Sequence, residues 1–323
     1  MSYRLDKINK RILYELDKNC RISDNQLAKI VKRSREAVRN RIKKLQEDGI
    51  IQGFITSINP SKFGYIFYKL YFQLANIPEE RKKFYQYLKK FPGLYWFGGN
   101  DGVWDLHATL YAENIKEINK VKNQIFTDFK DLILKKDMGI LVNVRQYPKK
   151  YLVDLKERPE PTMFADDIVE NNLSDLDKKI LNILIQKART PLTEISRKTK
   201  STVDIVRNRM KKLESNGIIM QYSIAINHTK LGYEMFKAFV YFHNLSEQDE
   251  KKLIEYAKQN TKILYLIRQL SAWDVEIEIM AKNYEKFIEV IDDIRQEFAS
   301  SLRNYEFCLM REDIWVFGEK DIF

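Results

Sequence analysis

The stretch "VRNRIKKLQEDGII", beginning at Val38, returns as "VRNRMKKLESNGII" at Val206, 168 positions later. A repeat of this length requires the fold to be one structural unit built twice. Leu5/Leu173, Ile12/Ile180, Leu13/Leu181, Leu45/Leu213, Gly49/Gly217 and Gly64/Gly232 keep the same offset, without a gap from Leu5 to Tyr65. Further on, "VWDLHATLYA" from Val103 matches "AWDVEIEIMA" from Ala272 at an offset of 169. Between the copies, 154–172 holds Pro159 and Pro161 with an excess of acids, which predicts an extended linker, one whose Phe and Ile could still dock on a neighbouring surface. The expected divisions are 1–60, 61–153, the linker 154–172, 173–228 and 229–323.

Each copy opens with three short helical patterns. Leu5, Ile8, Ile12, Leu13 and Leu16 follow the helical period, and Ser23 with Gln26 is a capping-box pair that starts a second helix. Ser34 caps the third, whose buried stripe is Val38, Ile42 and Leu45, and Gly49 stops it. In the second copy Thr190-Pro191 opens the middle helix and Thr202 caps the third. The segments "IIQGFITSIN" and "IIMQYSIAIN" then read as two short strands around a turn. Together these predict a winged helix-turn-helix in each copy.

With the stripe of the third helix facing inward, Glu36, Asn40, Lys43 and Lys44 point outward while Arg39 and Arg41 flank it. The second copy offers Asp204, Asn208, Lys211 and Lys212 outward, with Arg207 and Arg209 on the flanks. Flanking arginines suit phosphates, and outward Asn and Glu suit base edges in a major groove. With the caps Ser34 and Thr202, these residues are the candidate contacts to double-stranded DNA. A solvated helix face would show the same charge run, but the distribution of charge favours a polyanion partner. Residues 1–60 carry a net +7 and residues 173–228 a net +6, against +11 for the whole chain, so the remainder is slightly acidic.

From Tyr65 the pattern becomes strand, helix, strand, strand, helix, strand, and the second copy repeats it. The expected class is therefore α+β: two repeats, each a winged helix-turn-helix followed by a ferredoxin-like βαββαβ module. A chain with "RIL.EL", "S..QLAK", "VRNRIKKLQEDGII", "INPSKFGY" and "GNDGVWDL" resembles the Lrp/AsnC family of feast/famine transcription regulators. The resemblance covers nearly everything except the linker, twice over. It implies a sequence-specific DNA-binding regulator tuned by a small-molecule effector such as an amino acid, held between effector modules. In that family the glycine-rich turn lets backbone approach the ligand, which makes Gly98, Gly99, Asp101 and Gly102 the candidate effector contacts. The second module has "RQLSA" instead, so its equivalent site is expected to be degenerate.

Siroheme decarboxylases share this fold and supply the alternative, an enzyme of two fused halves. Their Arg-His pair ahead of Gly-Tyr is replaced here by Asn59-Pro60 in the first copy and Asn227-His228 in the second. Cys20 and Cys308 form no C-x-x-C pair, and His107, His228 and His243 lack metal-ligand spacing, so neither a metal nor a cofactor is expected. No apolar run reaches the roughly 20 residues of a membrane span, and the charged beginning lacks a signal-peptide core, which suits a cytoplasmic protein. The modules are expected to pair first with second in an intramolecular pseudo-dimer. Strand alternation groups Asp105, His107 and Thr109 on one face and Asp274, Glu276 and Glu278 on its counterpart, with Lys69 and Arg145 placed to meet those acids.

Overall fold

The computed structural model describes residues 3–153 and 159–311, together with the backbone of Ile314–Trp315. The first unit contains α1 (Lys7–Lys18), α2 (Asp24–Val31), α3 (Arg35–Glu47) and the strand β1 (Ile51–Ile58). Its caps follow the sequence: Ser23 and Gln26 close a reciprocal capping box, and the Ser34 hydroxyl accepts from the Ala37 amide. Gly49 takes a left-handed φ of 65°, which ends α3 and turns the chain into β1. The first module follows as β2 (Ile66–Leu74), α4 (Pro78–Lys89), β3 (Leu94–Gly102), β4 (Leu106–Ala112), α5 (Ile115–Asp128) and β5 (Ile133–Gln146).

The expected linker is not merely a spacer. Thr162–Phe164 forms a short strand, β6, antiparallel to β5, and Phe164 is buried against Phe67 and Tyr95. Val169 and Asn171 then donate backbone hydrogen bonds to Ser61 and Lys62, tying this segment to the first half. The prolines precede the strand, so nothing stops it from pairing; residues 154–158 lie outside the described residues.

The second repeat runs α6 (Asp175–Gln186), α7 (Leu192–Thr199), α8 (Val203–Ser215), β7 (Ile219–Ile226), β8 (Glu234–Phe242), α9 (Glu247–Gln259), β9 (Ile263–Leu270), β10 (Val275–Ala281), α10 (Tyr284–Glu297), β11 (Leu302–Met310) and β12 (Ile314–Trp315). The final strand of the sequence pattern is thus two pieces, and β12 pairs with β3 of the first half.

The wing differs from expectation. Neither unit forms its own hairpin; β1 pairs antiparallel with β7 along its whole length, Ile51 opposite Ile226 and Ile58 opposite Ile219. In the second unit no glycine, asparagine or aspartate between Ile219 and Ile226 supplies a hairpin turn, and in the first Gly53 stays within the ribbon, opposite Ala225. Because Ile51 and Ile219 are repeat equivalents, this register gives the ribbon a local two-fold axis. α1 packs on β7 and α6 on β1, and a single apolar core runs through both units, from Ile12 and Leu45 to Leu181 and Leu213. Polar contacts cross the same seam: the Thr56 hydroxyl donates to the Leu184 carbonyl at 2.7 Å and Arg21 to the Thr190 carbonyl at 2.9 Å.

Each module has the ferredoxin-like order, β5-β2-β4-β3 in the first and β11-β8-β10-β9 in the second. The two sheets join at both edges, β5 to β9 and β11 to β3, so the strand path closes on itself. Helices α4 and α5 cover the first sheet outside, through Phe84, Leu88, Ile118 and Ile125, and α9 and α10 cover the second. The opposite faces look inward at each other.

Each junction sets a glycine against a larger residue. Gly139 opposes Lys69 as Cys308 opposes Lys237, so those two are equivalents, and Gly102 corresponds to Ser271. At one edge Gly102 lies against Cys308, where an added Cβ would sit 2.7 Å from the Phe307 carbonyl oxygen and 2.9 Å from the Cys308 Cα. At the other, a Cβ on Gly139 would sit 2.5 Å from Gln269 Oε1 and 3.2 Å from the Ser271 Cβ. Gly102 also holds φ 138°, outside the range that other residues readily adopt. Gly102→Val is therefore expected to cost about 1–3 kcal/mol for the backbone and about as much again for overpacking. Gly53→Val, where a Cβ meets nothing within 4 Å, is the control. Equal shifts in the urea midpoint for the two variants would contradict a tight junction.

Candidate nucleic-acid interface

Helices α3 and α8 each bury one stripe, Val38, Ile42 and Leu45 in the first and Val206, Met210 and Leu213 in the second. The other faces are open. Ser34, Glu36, Arg39, Asn40, Lys43 and Lys44 are exposed on one unit, and Thr202, Asp204, Arg207, Asn208, Lys211 and Lys212 on the other. Lys43 pairs with Glu47 at 3.5 Å while 74% of its side chain stays accessible. An exposed pair of this kind holds its partners weakly, so the ammonium is free to meet a phosphate.

The four flanking arginines divide into two kinds. Arg39, 61% exposed, touches Asp24 of α2 at 3.3 Å, and Arg207 pairs with Asp204 one turn back on its own helix. Both groups can exchange these loose partners for phosphates. Arg41 and Arg209 are turned onto the first helix of their units instead. Arg41 donates to Asp6 at 2.7 Å and Asn9 at 2.8 Å; Arg209 donates to Asp177 at 2.7 Å and Ser174 at 2.8 Å. Burial opposes ionisation of Asp177, but Arg209 and Ser174 outweigh it and hold the carboxyl below its usual range. These two arginines lock the recognition helix to the N-cap of the helix behind it. Arg209→Met is expected to destabilise the second unit by roughly 1.5–3 kcal/mol, the worth of hydrogen bonds to a charged group. Thermal melting of that variant beside Arg207→Met checks the division, and equal losses would contradict it.

The glycine-rich stretch needs correction. It is strand rather than turn: β3 runs through Gly102, Gly98 and Gly99 pair with His107 and Leu106, and the turn itself is 103–105. Asn100, Asp101 and Gly102 pair with Met310, Leu309 and Cys308 of β11. The close approach that Gly102 permits is taken by the other half of the chain. Asp101 remains exposed and pairs with Arg311. Sequence pattern alone could not separate a glycine that admits a ligand from one that admits a strand.

Space lies elsewhere. A cavity of about 280 Å³ opens beside the β1–β7 ribbon and the second module, lined by His228, Lys149, Tyr151, Met235, Met280 and Arg311 among others; none of the four candidate effector residues borders it. At the equivalent place in the first half, Phe67 and Tyr95 stand where Met235 and Leu264 do, and Phe164 packs onto both rings. Burial, reinforced by Lys149, keeps His228 below its normal pKa and hence neutral. Lys149 is paired with Asp17.

Between the inward sheet faces sits a buried ionic cluster. Lys69 meets Glu276 at 2.7 Å, and Lys237 meets the same oxygen at 3.0 Å and also pairs with Glu278. Gln269 and Trp273 donate to the other Glu276 oxygen at 2.8 and 3.3 Å, and the Tyr71 hydroxyl donates there too. Asp105 and Asp274, grouped with this face in the sequence, instead accept from the Leu74 and Phe242 amides at 2.8 Å. Arg145 turns to Asn143. Lys237 was legible as the repeat equivalent of Lys69. His107, where the second half has Glu276, is buried, and burial with the two lysines keeps it neutral. Among the described residues, no group of His, Cys, Asp and Glu could hold a metal ion, and no helix is long and apolar enough to cross a membrane.

A family model described as winged helix-turn-helix DNA-binding matches residues 5–52 and 173–220. The HTH-type transcriptional regulator LrpA of Pyrococcus horikoshii is 38% identical over 122 residues, which covers 38% of this chain and 82% of that protein. The chain belongs to the Lrp/AsnC family. LrpB of Bacillus subtilis is 43% identical over 70 residues, 22% of the chain and 46% of that regulator. An uncharacterised HTH-type regulator of Pyrococcus furiosus is 43% identical over 63 residues, so the chain spans 20% of itself and 43% of that relative in the match. Through both repeats the tandem Lrp/AsnC chain also shares its fold with the siroheme decarboxylase NirDL. That likeness has a TM-score of 0.62 at 16% identity over 95% of the chain and 92% of NirDL.

Proposed function

We propose that this tandem Lrp/AsnC chain is a sequence-specific DNA-binding transcription regulator in which one chain supplies a pair of recognition helices that are usually contributed by two. The observation that carries this is the two-fold register of β1 with β7, which relates α3 to α8 within one molecule. Helix-turn-helix readers act as symmetric pairs meeting successive major grooves. A covalent pair makes the second contact intramolecular.

The interior supports pairing of unlike modules. Two first modules would bring together Lys69 and His107 twice, with no carboxylate; two second modules would bring four glutamates to two lysines. One of each balances two lysines against two glutamates. The glycine junctions favour the same choice, since Ser271 against Cys308 would leave no glycine at the edge. A regulator of this kind needs no catalytic group and acts where DNA is, in the cytoplasm. Its small-metabolite effector, an amino acid by family likeness, has room beside His228 rather than at the β3 glycines.

The fold shared with NirDL and the cavity beside His228 favour one second reading, a decarboxylase acting on a carboxylate-rich tetrapyrrole. Lys149 is held by the buried Asp17, so of these two cations only Arg311, loosely paired with the exposed Asp101, is open to such a ligand. Fluorescence anisotropy with random and selected duplexes, alongside absorbance titration with an iron tetrapyrrole, separates the two. Saturable duplex binding with a preferred sequence is expected. Tetrapyrrole binding without any duplex binding would replace the regulator with the enzyme.

A further inference from the structure

The two recognition helices agree over Val38–Ile42 and Val206–Met210 except for the buried last position, but their first turns share only an outward acid, Glu36 and Asp204. Arg35, Glu36 and Ala37 stand where Val203, Asp204 and Ile205 stand in the second unit. Ala37 is half-buried, whereas Ile205 is 47% exposed. The accessible half of this aliphatic side chain, on the flank of a basic helix, is open to an apolar group from outside the fold. At 100° per residue Ile205, Asn208 and Lys212 fall on one strip, three and seven positions apart. The first turn of a recognition helix is the part that reaches base edges. An asparagine there pairs with adenine, and an apolar group contacts the thymine methyl, the one apolar feature in the major groove.

We propose that Ile205 reads a thymine methyl, so that the two half-sites of one operator differ at the base pairs facing the first turns of α3 and α8. The inference rests on the DNA-binding reading above and extends it to the sequence recognised. The half-sites share the base contacted by Asn40 and Asn208. They diverge beside it, where Arg35 and Ala37 flank the acid of the first unit and the hydrocarbons Val203 and Ile205 flank that of the second. An operator of this kind has a direction. The fused chain, unlike two identical subunits, can bind it in only one orientation.

The test uses the full chain and the best duplex selected from a random library. Each thymine is replaced in turn by deoxyuridine, which removes only the 5-methyl group. The expected result is one thymine, in one half-site, whose replacement weakens binding about fourfold, the worth of one methyl withdrawn from water. Ile205→Ala should lose that sensitivity while melting like the parent. Ala37→Ile, the reciprocal change, should create a methyl dependence in the other half-site, and it tests the idea even where Ile205→Ala misfolds. A palindromic selected site, or uridine effects unchanged by either substitution, overturns this inference and leaves the DNA reading intact. A chain that selects no sequence at all overturns both.

Discussion

Lys237→Met will destabilise the chain by about 3–5 kcal/mol, the usual result of removing one partner from a buried ion pair. Lys237 is fully enclosed, and its ammonium serves Glu276 and Glu278 together. Without it Lys69 faces two buried carboxylates alone. Replacing Lys69 and Glu276 together by apolar residues of similar volume should cost far less, because no charge is then stranded. Urea unfolding of the two variants reads this order, and equal losses would show that the cluster is not a unit. The same cluster fixes an acid dependence. Burial opposes ionisation of Glu276, but Lys237 and Lys69 outweigh it and hold the carboxyl well below the ordinary carboxylate range. A carboxyl with a depressed folded pKa adds stability that is complete above its unfolded pKa, about 4.3, and is lost as pH falls below it. Glu276→Gln should therefore lower stability at pH 7 and flatten its decline in acid. A parent-like decline in that variant would place the acid sensitivity elsewhere.

Changing Lys43, Lys44, Lys211 and Lys212 to glutamine will reduce the salt dependence of duplex binding by about 0.9 in log–log slope for each phosphate no longer neutralised, roughly 3–4 in all. The loss should be similar on random and selected duplexes, because phosphates carry no sequence. Asn40→Ala or Asn208→Ala should instead change which sequences are preferred, at about 1–3 kcal/mol per bidentate pair. Arg41 and Arg209 belong outside this set, since their removal would loosen the helix itself. An unchanged salt slope in the four-lysine variant would remove α3 and α8 from the interface.

What the sequence made legible was local or periodic. The capping of α2 and α3 by Ser23 and Ser34 was written in adjacent residues, and the 168-residue offset exposed both units. The ferredoxin-like order followed from alternating strand and helix patterns. Partner choice was not written locally. A strand such as β1, which carries Gly53, shows the same alternation whether it folds back on itself or crosses to β7, and only the lack of a turn glycine between Ile219 and Ile226 hinted at the crossing. Gly102 showed that backbone must come close, without showing whose. Arg41 and Arg209 lay on the flank as expected, but Asp6 and Asp177 are 35 and 32 residues away and became their partners only through the packing of α1 and α6. The linker strand beside β5 was hidden for the same reason, since β6 is three residues long and takes its register from its neighbour.

The most direct test of an intramolecular pair of readers is a hydroxyl-radical footprint on a duplex carrying both half-sites. It is taken with the parent chain and with two variants in which the outward residues of α3 or of α8 are changed to alanine. The parent is expected to protect both half-sites, the α3 variant to lose protection of one, and the α8 variant to lose protection of the other. Loss of both half-sites in one variant and of neither in the other would mean that like units from separate chains form the pair, and would contradict the intramolecular arrangement.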